Sequence, residues 1–159
     1  MTSTPTTTEY PLGPVLDLLR EWWALNHAIE RTSRSMAARL GVSWSQRLAL
    51  RVIGRYPDIG PGDLSRVLHL DPGTISATIR RLERAGVVTR RLLGPDRRRV
   101  SLSLTAKGRR LDGPDTQTVE GALGRVLARV PEADVSAVRA FIGAFVEELE
   151  RMAVAPRRE

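Results

Sequence analysis

Between Asp71 and Thr105 the order of capping residues, turn residues and apolar spacings leaves few folds open. Asp71 is a helix-capping residue type, and Pro72 behind it suits a first helical position, where its missing N–H costs nothing. Ile75, Ile79 and Leu82 then fall on one helical face, and Gly86 closes the segment. Further on, Val100, Leu102 and Leu104 alternate with Ser101 and Ser103, the period of a half-buried strand. Val87 to Leu93 is its natural partner, and residues 94–99 form the turn between them. The expected unit is a helix followed by a hairpin with the tip Gly94-Pro95-Asp96-Arg97-Arg98-Arg99.

The residues just upstream supply a second short helix or two. Ser43-Trp44-Ser45-Gln46 matches a capping box ahead of Leu48, Leu50, Val52 and Ile53, and Pro57 stops that helix. Gly60-Pro61 opens another, with Leu64, Val67 and Leu68 expected to face inward. Joined by a tight turn to the helix that starts at Asp71, this makes a helix-turn-helix. Its second helix would turn Gly73, Thr74, Ser76, Ala77, Arg80, Arg81 and Arg84 away from the core. Small and hydroxyl residues at a helix start permit close approach to phosphates, and arginine is the commonest reader of guanine edges. A solvated basic face is the plain alternative. The adjoining hairpin favours duplex DNA, with the helix in a major groove and Arg97, Arg98 and Arg99 at a minor groove. Asp96 would orient one of these arginines, which otherwise repel one another.

Charge points the same way. The chain of 159 residues has a formal net charge of +7 and a pI near 11.2. Arg80 to Arg110 carries ten arginines and Lys107 against Glu83 and Asp96, so the positive excess of this stretch exceeds that of the whole chain. Lys107 is the only lysine, and codon bias explains such an arginine preference as well as chemistry does. Absence of cysteine excludes disulfides, thiol sensing and cysteine-ligated zinc. His27 and His69, without carboxylates at ligand spacing, make no metal site. No nucleophile–base pairing or phosphate-binding glycine loop is visible, so an enzyme is not expected, and no cofactor is implied. No apolar run approaches the roughly 20 residues that cross a membrane, and no signal pattern opens the chain; a cytoplasmic protein is expected.

Around this centre the sequence predicts long helices. Residues 1–11 are Thr/Pro-rich and read as a disordered tail. Pro14 starts a helix whose Val15, Leu19, Trp22, Ile29, Met36 and Leu40 share a stripe widened by Leu16, Trp23 and Leu25, with Gly41 as its stop. Such length exceeds what a small core needs and suggests a second subunit. Thr105 caps a further helix, which Gly113-Pro114 should kink or break. Val119, Leu123, Val126, Leu127 and Val130 resume the stripe, and after Pro131 so do Val135, Val138, Ile142, Phe145, Leu149 and Met152. Residues 154–159 read as a frayed tail. The fold class expected is mainly α with a small β-hairpin wing, as one domain over 12–153. Within it the helix-turn-helix and wing occupy about 43–104, and dimerisation helices about 14–40 and 105–153.

Leu82-Glu83-Arg84-Ala85-Gly86-Val87-Val88-Thr89-Arg90, then Asp96-Arg97-Arg98, then Leu104-Thr105-Ala106-Lys107-Gly108, resembles the MarR family of winged helix-turn-helix transcription regulators. That pattern is a Leu-Glu-x-x-Gly-(Leu/Val)-(Ile/Val)-x-Arg run, an Asp-x-Arg wing and a Leu-Thr-x-x-Gly helix start. The resemblance implies a homodimer on a pseudo-palindromic operator, with double-stranded DNA as partner and repression relieved by a small aromatic or lipophilic effector. It puts Ser76, Ala77, Arg80 and Arg81 toward the major groove, Arg98 in the minor groove and Asp96 beside it. Trp22, Trp23, His27 and Trp44 are the candidates for an effector pocket, against a plain role as core. Ala77 and Arg80 depart from the family, where Arg and an acidic residue are frequent, so the preferred base sequence does not carry over. Gly113-Pro114 is unusual in the helix that links wing and dimer interface. An architectural DNA-binding protein, or a winged helix that binds protein, is the alternative reading.

Overall fold

The computed structural model describes residues 10–93 and 99–154. They form two compact units that divide at Val119 and Glu120. In the first, α1 (Pro14–Leu40), α2 (Trp44–Arg55), α3 (Pro61–Leu68) and α4 (Pro72–Arg84) precede a two-stranded antiparallel hairpin, β1 (Val88–Leu93) and β2 (Arg99–Leu104), and α5 (Ala106–Leu111). α6 (Val119–Leu127) and α7 (Glu132–Val154) make the second. The architecture is mainly helical with a small hairpin, as expected.

Local chemistry explains most boundaries. The Ser43 hydroxyl accepts from the Gln46 amide while the Gln46 side chain accepts from the Ser43 amide, a complete capping box. Gly41 ends α1 in the left-handed conformation at φ 74°. His69 ends α3 the same way at φ 51°, so the tight turn into α4 is made by a non-glycine residue. Thr105 caps α5 by accepting from the Gly108 amide.

α2 is the hub of the first unit, touching α1, α3, α4 and β2. Its Ala49, Leu50 and Ile53 are buried with Val42, Leu64, Ile75, Ile79, Leu82, Val87, Val88 and Leu102 in one core. Two expectations fail here. Val67 is 48% exposed, because α3 turns Leu64 inward with Leu68 beside it and uses the Ser65 hydroxyl to bond the Leu70 carbonyl at the turn. Ser101 is buried rather than solvated. The connection from α2 to α3 lies along β2, with Asp58 N donating to the Leu102 carbonyl (3.2 Å) and Leu102 N to the Ile59 carbonyl (3.0 Å). β2 is thus flanked on both edges. β1 starts one residue later than the sequence suggests, since Val87 N closes the end of α4 on the Leu82 carbonyl.

The Gly113-Pro114 break is present, and it is tied down. Pro114 has no N–H to continue the α5 ladder, so the last carbonyls of that helix need other donors. α2 provides them. Arg47, only 2% exposed, donates to the carbonyls of Leu111 and Gly113 (2.8 Å for the latter), and Arg51 donates to the Asp112 carbonyl and carboxylate. Arg39 of α1 holds the next residues, pairing with Asp115 at 2.7 Å and bonding the Gln117 carbonyl at 3.1 Å. Its guanidinium, with the Gln117 amide, holds the Asp115 carboxyl below the usual carboxylate range.

α1 docks only through its C-terminal half. Met36 is buried there, whereas Val15, Leu16, Leu19, Trp23 and Leu25 are exposed, so the reading of Trp23 as core is wrong. In the second unit Val138, Phe141, Ile142, Val146, Leu149 and Met152 are likewise exposed. Replacing Arg47 with Met keeps the volume but strands two carbonyls; about 1–3 kcal/mol per unsatisfied group gives an expected loss of about 2–6 kcal/mol in urea unfolding. An unchanged midpoint would show that the arginine does not hold the break.

Candidate nucleic-acid interface

α4 is anchored at its start by its own cap. The Asp71 carboxylate accepts from the Thr74 amide (2.9 Å) and the Thr74 hydroxyl, which lowers the Asp71 pKa below the ordinary carboxylate value. These bonds have a consequence for recognition. A carboxylate already sits at the positive end of the helix, so the start of α4 is not a vacant phosphate cradle of the kind expected from Gly73 and Thr74.

The exposed surface of α4 is its flank. Ile75, Ile79 and Leu82 are buried. By helical spacing, Gly73, Ala77, Arg80 and Arg84 run along the opposite side, with Thr74 and Arg81 on one shoulder and Ser76 on the other. Thr74, Arg80, Arg81 and Arg84 are exposed, while Ser76 and Ala77 are half-buried. Arg84 folds back so that its Nε donates to the Arg80 carbonyl at 3.3 Å. Among the described residues no carboxylate pairs with Arg80 or Arg81. Two adjacent unpaired guanidinium groups on a rigid helix favour an anionic or acceptor-rich partner.

The passage from α4 into the hairpin gives a physical role to each position of the sequence run that begins at Leu82. Leu82 is core, and Glu83 takes Arg90 of β1 in a two-bonded pair (3.3 and 3.4 Å) that fixes the strand against the helix. Being partly exposed, that pair contributes little stability; its effect is orientation. Gly86 occupies the left-handed region at φ 69°, and Val87 and Val88 return to the core. At the far end of the hairpin a Cβ on Gly108 would lie 2.0 Å from the Val87 carbonyl, so no other residue fits.

A profile of the MarR family matches residues 40–99. Over residues 40–99 the chain is of that family. Among relatives, the transcriptional regulator TtmR of Methylorubrum extorquens is 37% identical over 89 residues, which are 56% of this chain and 46% of TtmR. A transcriptional repressor of Mycobacterium tuberculosis is 32% identical over 91 residues, 57% of this chain and 66% of its own length. The chain thus spans less than two thirds of these relatives. The structure of S. aureus MepR in complex with DNA superposes with a TM-score of 0.67 at 17% identity, over 82% of this chain and 96% of that one. At such identity the likeness is one of fold, the MarR-like winged helix.

Other candidate residues are dispersed. Asp96, Arg97 and Arg98 lie outside the described residues. Arg99 opens β2 opposite Leu93, at the end of the hairpin ladder. Trp22, Trp23 and His27 line two open grooves along α1, with Leu12, Leu16, Leu19, Arg20, Ala24, Asn26 and Glu30. Trp44 lines neither; it begins α2, and its amide donates to the Ser33 hydroxyl. The four therefore do not assemble into one pocket in the single chain. Sequence reasoning missed Glu83 and Arg90 as a pair, and missed Lys107, whose ammonium donates to the Ala85 carbonyl at 2.8 Å. The available signal was that one lysine stands among so many arginines.

Asp71 makes the start of α4 acid-sensitive in a defined sense. Its folded pKa is depressed, so the cap is complete above the ordinary carboxylate range and is lost as pH falls through the folded value. The Thr74 amide resonance should titrate with a midpoint below that range, and Asp71→Asn should abolish the titration. A midpoint at or above the ordinary value would contradict the cap.

Proposed function

We propose that the protein is a sequence-specific DNA-binding transcription regulator that acts in the cytoplasm as a homodimer on a pseudo-palindromic operator. The observation that carries this reading is the unpaired, exposed Arg80 and Arg81 on the flank of α4, beside a hairpin whose connection includes Asp96, Arg97 and Arg98 and whose second strand opens with Arg99. Ser76, Ala77, Arg80 and Arg81 read bases in the major groove, and Thr74 and Arg84 border them. Arg97, Arg98 and Arg99 meet the minor groove and adjacent phosphates, with Asp96 holding Arg98. MepR, of the same fold, has been crystallised with DNA, which supports duplex DNA as the partner, and the mycobacterial relative bears the name of a repressor, which supports repression as the mode of action.

Dimerisation is supported by the apolar faces left open on α1 and α7, which are 27 and 23 residues long. Uncovered stripes of that length are costly in water and mark association surfaces. In such a dimer the grooves along α1 at Trp22, Trp23 and His27 would be closed by added walls, and a small aromatic or lipophilic effector is the ligand chemistry that suits them.

Two roles for arginine are separable. Arg80→Ala should cost about 1–3 kcal/mol on the preferred duplex and relax the choice of one base. Arg98→Ala should weaken all duplexes alike and reduce the slope of log K against log salt by about 0.9 for each phosphate that is no longer neutralised. Equal affinity of the unaltered protein for a selected operator and its scrambled version at physiological salt would rule out sequence-specific regulation. Sedimentation at micromolar concentration should give a dimer; a monomer there would defeat the association reading.

A further inference from the structure

The C-terminal end of α4 is held from outside the helix. Three successive carbonyls just past it, those of Ala85, Gly86 and Val87, each accept a hydrogen bond from the segment that follows the hairpin. Lys107 Nζ reaches the Ala85 oxygen at 2.8 Å, Thr105 Oγ1 the Gly86 oxygen at 2.8 Å, and Thr105 N the Val87 oxygen at 3.1 Å. The Thr105 hydroxyl also accepts from the Gly108 amide at 3.0 Å. One hydroxyl thus joins the carbonyl end of α4 to the amide end of α5. Gly108 allows the close approach, since any Cβ there would collide with the Val87 oxygen. The hairpin leaves this junction at Val88 and returns to it at Leu104, and those two residues face each other in the ladder. A compact ammonium suits a single carbonyl better than a planar guanidinium fork, which fits the presence of the chain's only lysine here.

We propose that Thr105 and Lys107 are positioning residues for DNA recognition: they set the pitch of α4 relative to the base of the hairpin, so that helix and hairpin tip reach their grooves together. This rests on the DNA-reading function proposed above. Neither residue needs to touch DNA. Their effect passes through the backbone between Ala85 and Val87, where Gly86 in the left-handed region would otherwise let the helix end swing.

Thr105→Val removes the hydroxyl at nearly constant volume, Thr105→Ser restores it, and Lys107→Met removes the ammonium from an exposed site. Each full-length variant is compared with the unaltered protein in two measurements: amide hydrogen exchange across residues 81–88, and affinity for an operator selected from random duplexes against its scrambled version. The expected result is exchange faster by about tenfold over 81–88 in Thr105→Val and Lys107→Met and near-normal exchange in Thr105→Ser, with a thermal midpoint close to that of the unaltered protein in Lys107→Met and Thr105→Ser and lowered in Thr105→Val, which also loses the α5 cap. Operator affinity should fall by about tenfold, the loss of roughly one base contact, with scrambled-duplex affinity unchanged. Unchanged exchange would overturn the brace whatever the DNA result. Faster exchange with undiminished discrimination would overturn its role in recognition. Equal loss on both duplexes with a lower salt slope in Lys107→Met would make Lys107 a phosphate contact instead. Should the unaltered protein fail to discriminate, the regulator reading falls while the exchange measurement still decides the brace.

Discussion

Carbonyls stranded where short helices end govern how the first unit is put together. A peptide oxygen with no amide partner and no water is expensive, and a chain of short helices with a hairpin between them makes many such oxygens. Here cationic side chains answer them. Arg47 and Arg51 take the carbonyls around the Gly113-Pro114 break, Arg39 takes Gln117, Lys107 takes Ala85 and Arg109 takes Leu104. The buried apolar face of α2 supplies the cohesion, but its arginine-bearing positions decide where the chain after α5 may run. Arg47 and Arg51 lie one helical turn apart, and Gly54 continues the same side. A Cβ on Gly54 would press on the Asp112 carboxylate at 2.5 Å. That side of α2 is shaped to receive the break.

This use of cations changes what the net charge means. The excess between Arg80 and Arg110 looks like a single electrostatic footprint when it is counted along the sequence. In the folded chain it separates into two populations. Arg90 is taken up by Glu83, Lys107 by Ala85 and Arg109 by Leu104, whereas Arg80, Arg81, Arg91 and Arg110 have no partner among the described residues. A bond to a carbonyl leaves Lys107 and Arg109 charged but fixes where they sit, so a partner anion meets these cations at set places. Net charge supports encounter with a polyanion; the pairing pattern decides which side chains are left to touch it.

The elements were legible because their signals are local. Asp71-Pro72, the Ser43–Gln46 box and Gly41 each set a boundary through bonds to residues at most a turn away. The core row Ile75, Ile79 and Leu82 follows from period alone, and the family motif fixed the order of helix, hairpin and helix. What escaped were contacts that join distant parts of the chain. Nothing near Ser101 announces that residues 58 and 59 will lie along β2, and nothing near Val67 shows that α3 will favour Leu64 and Leu68. Arg47 reads as one more surface arginine until α5 ends beside it. Charged side chains carry no periodic signature of burial, so their internal roles could not be read from pattern.

Hydrogen bonding at the start of α4 also limits how that helix can be used. Thr74 gives both its amide hydrogen and its hydroxyl hydrogen to Asp71, so toward a nucleic acid its oxygen can only accept. It cannot donate to a phosphate. Ser76, on the other shoulder, keeps its hydroxyl hydrogen free of any bond to the described residues and can donate to a phosphate or a base acceptor. Ala77 adds no polar group, and in the DNA-reading role proposed above its short side chain would let the helix flank come close enough for Arg80 and Arg81 to reach base edges. The two departures from the family pattern then belong together. On that proposal, a short side chain at Ala77 and a cation at Arg80 would move the reading point about one helical turn toward the end that Thr105 and Lys107 hold.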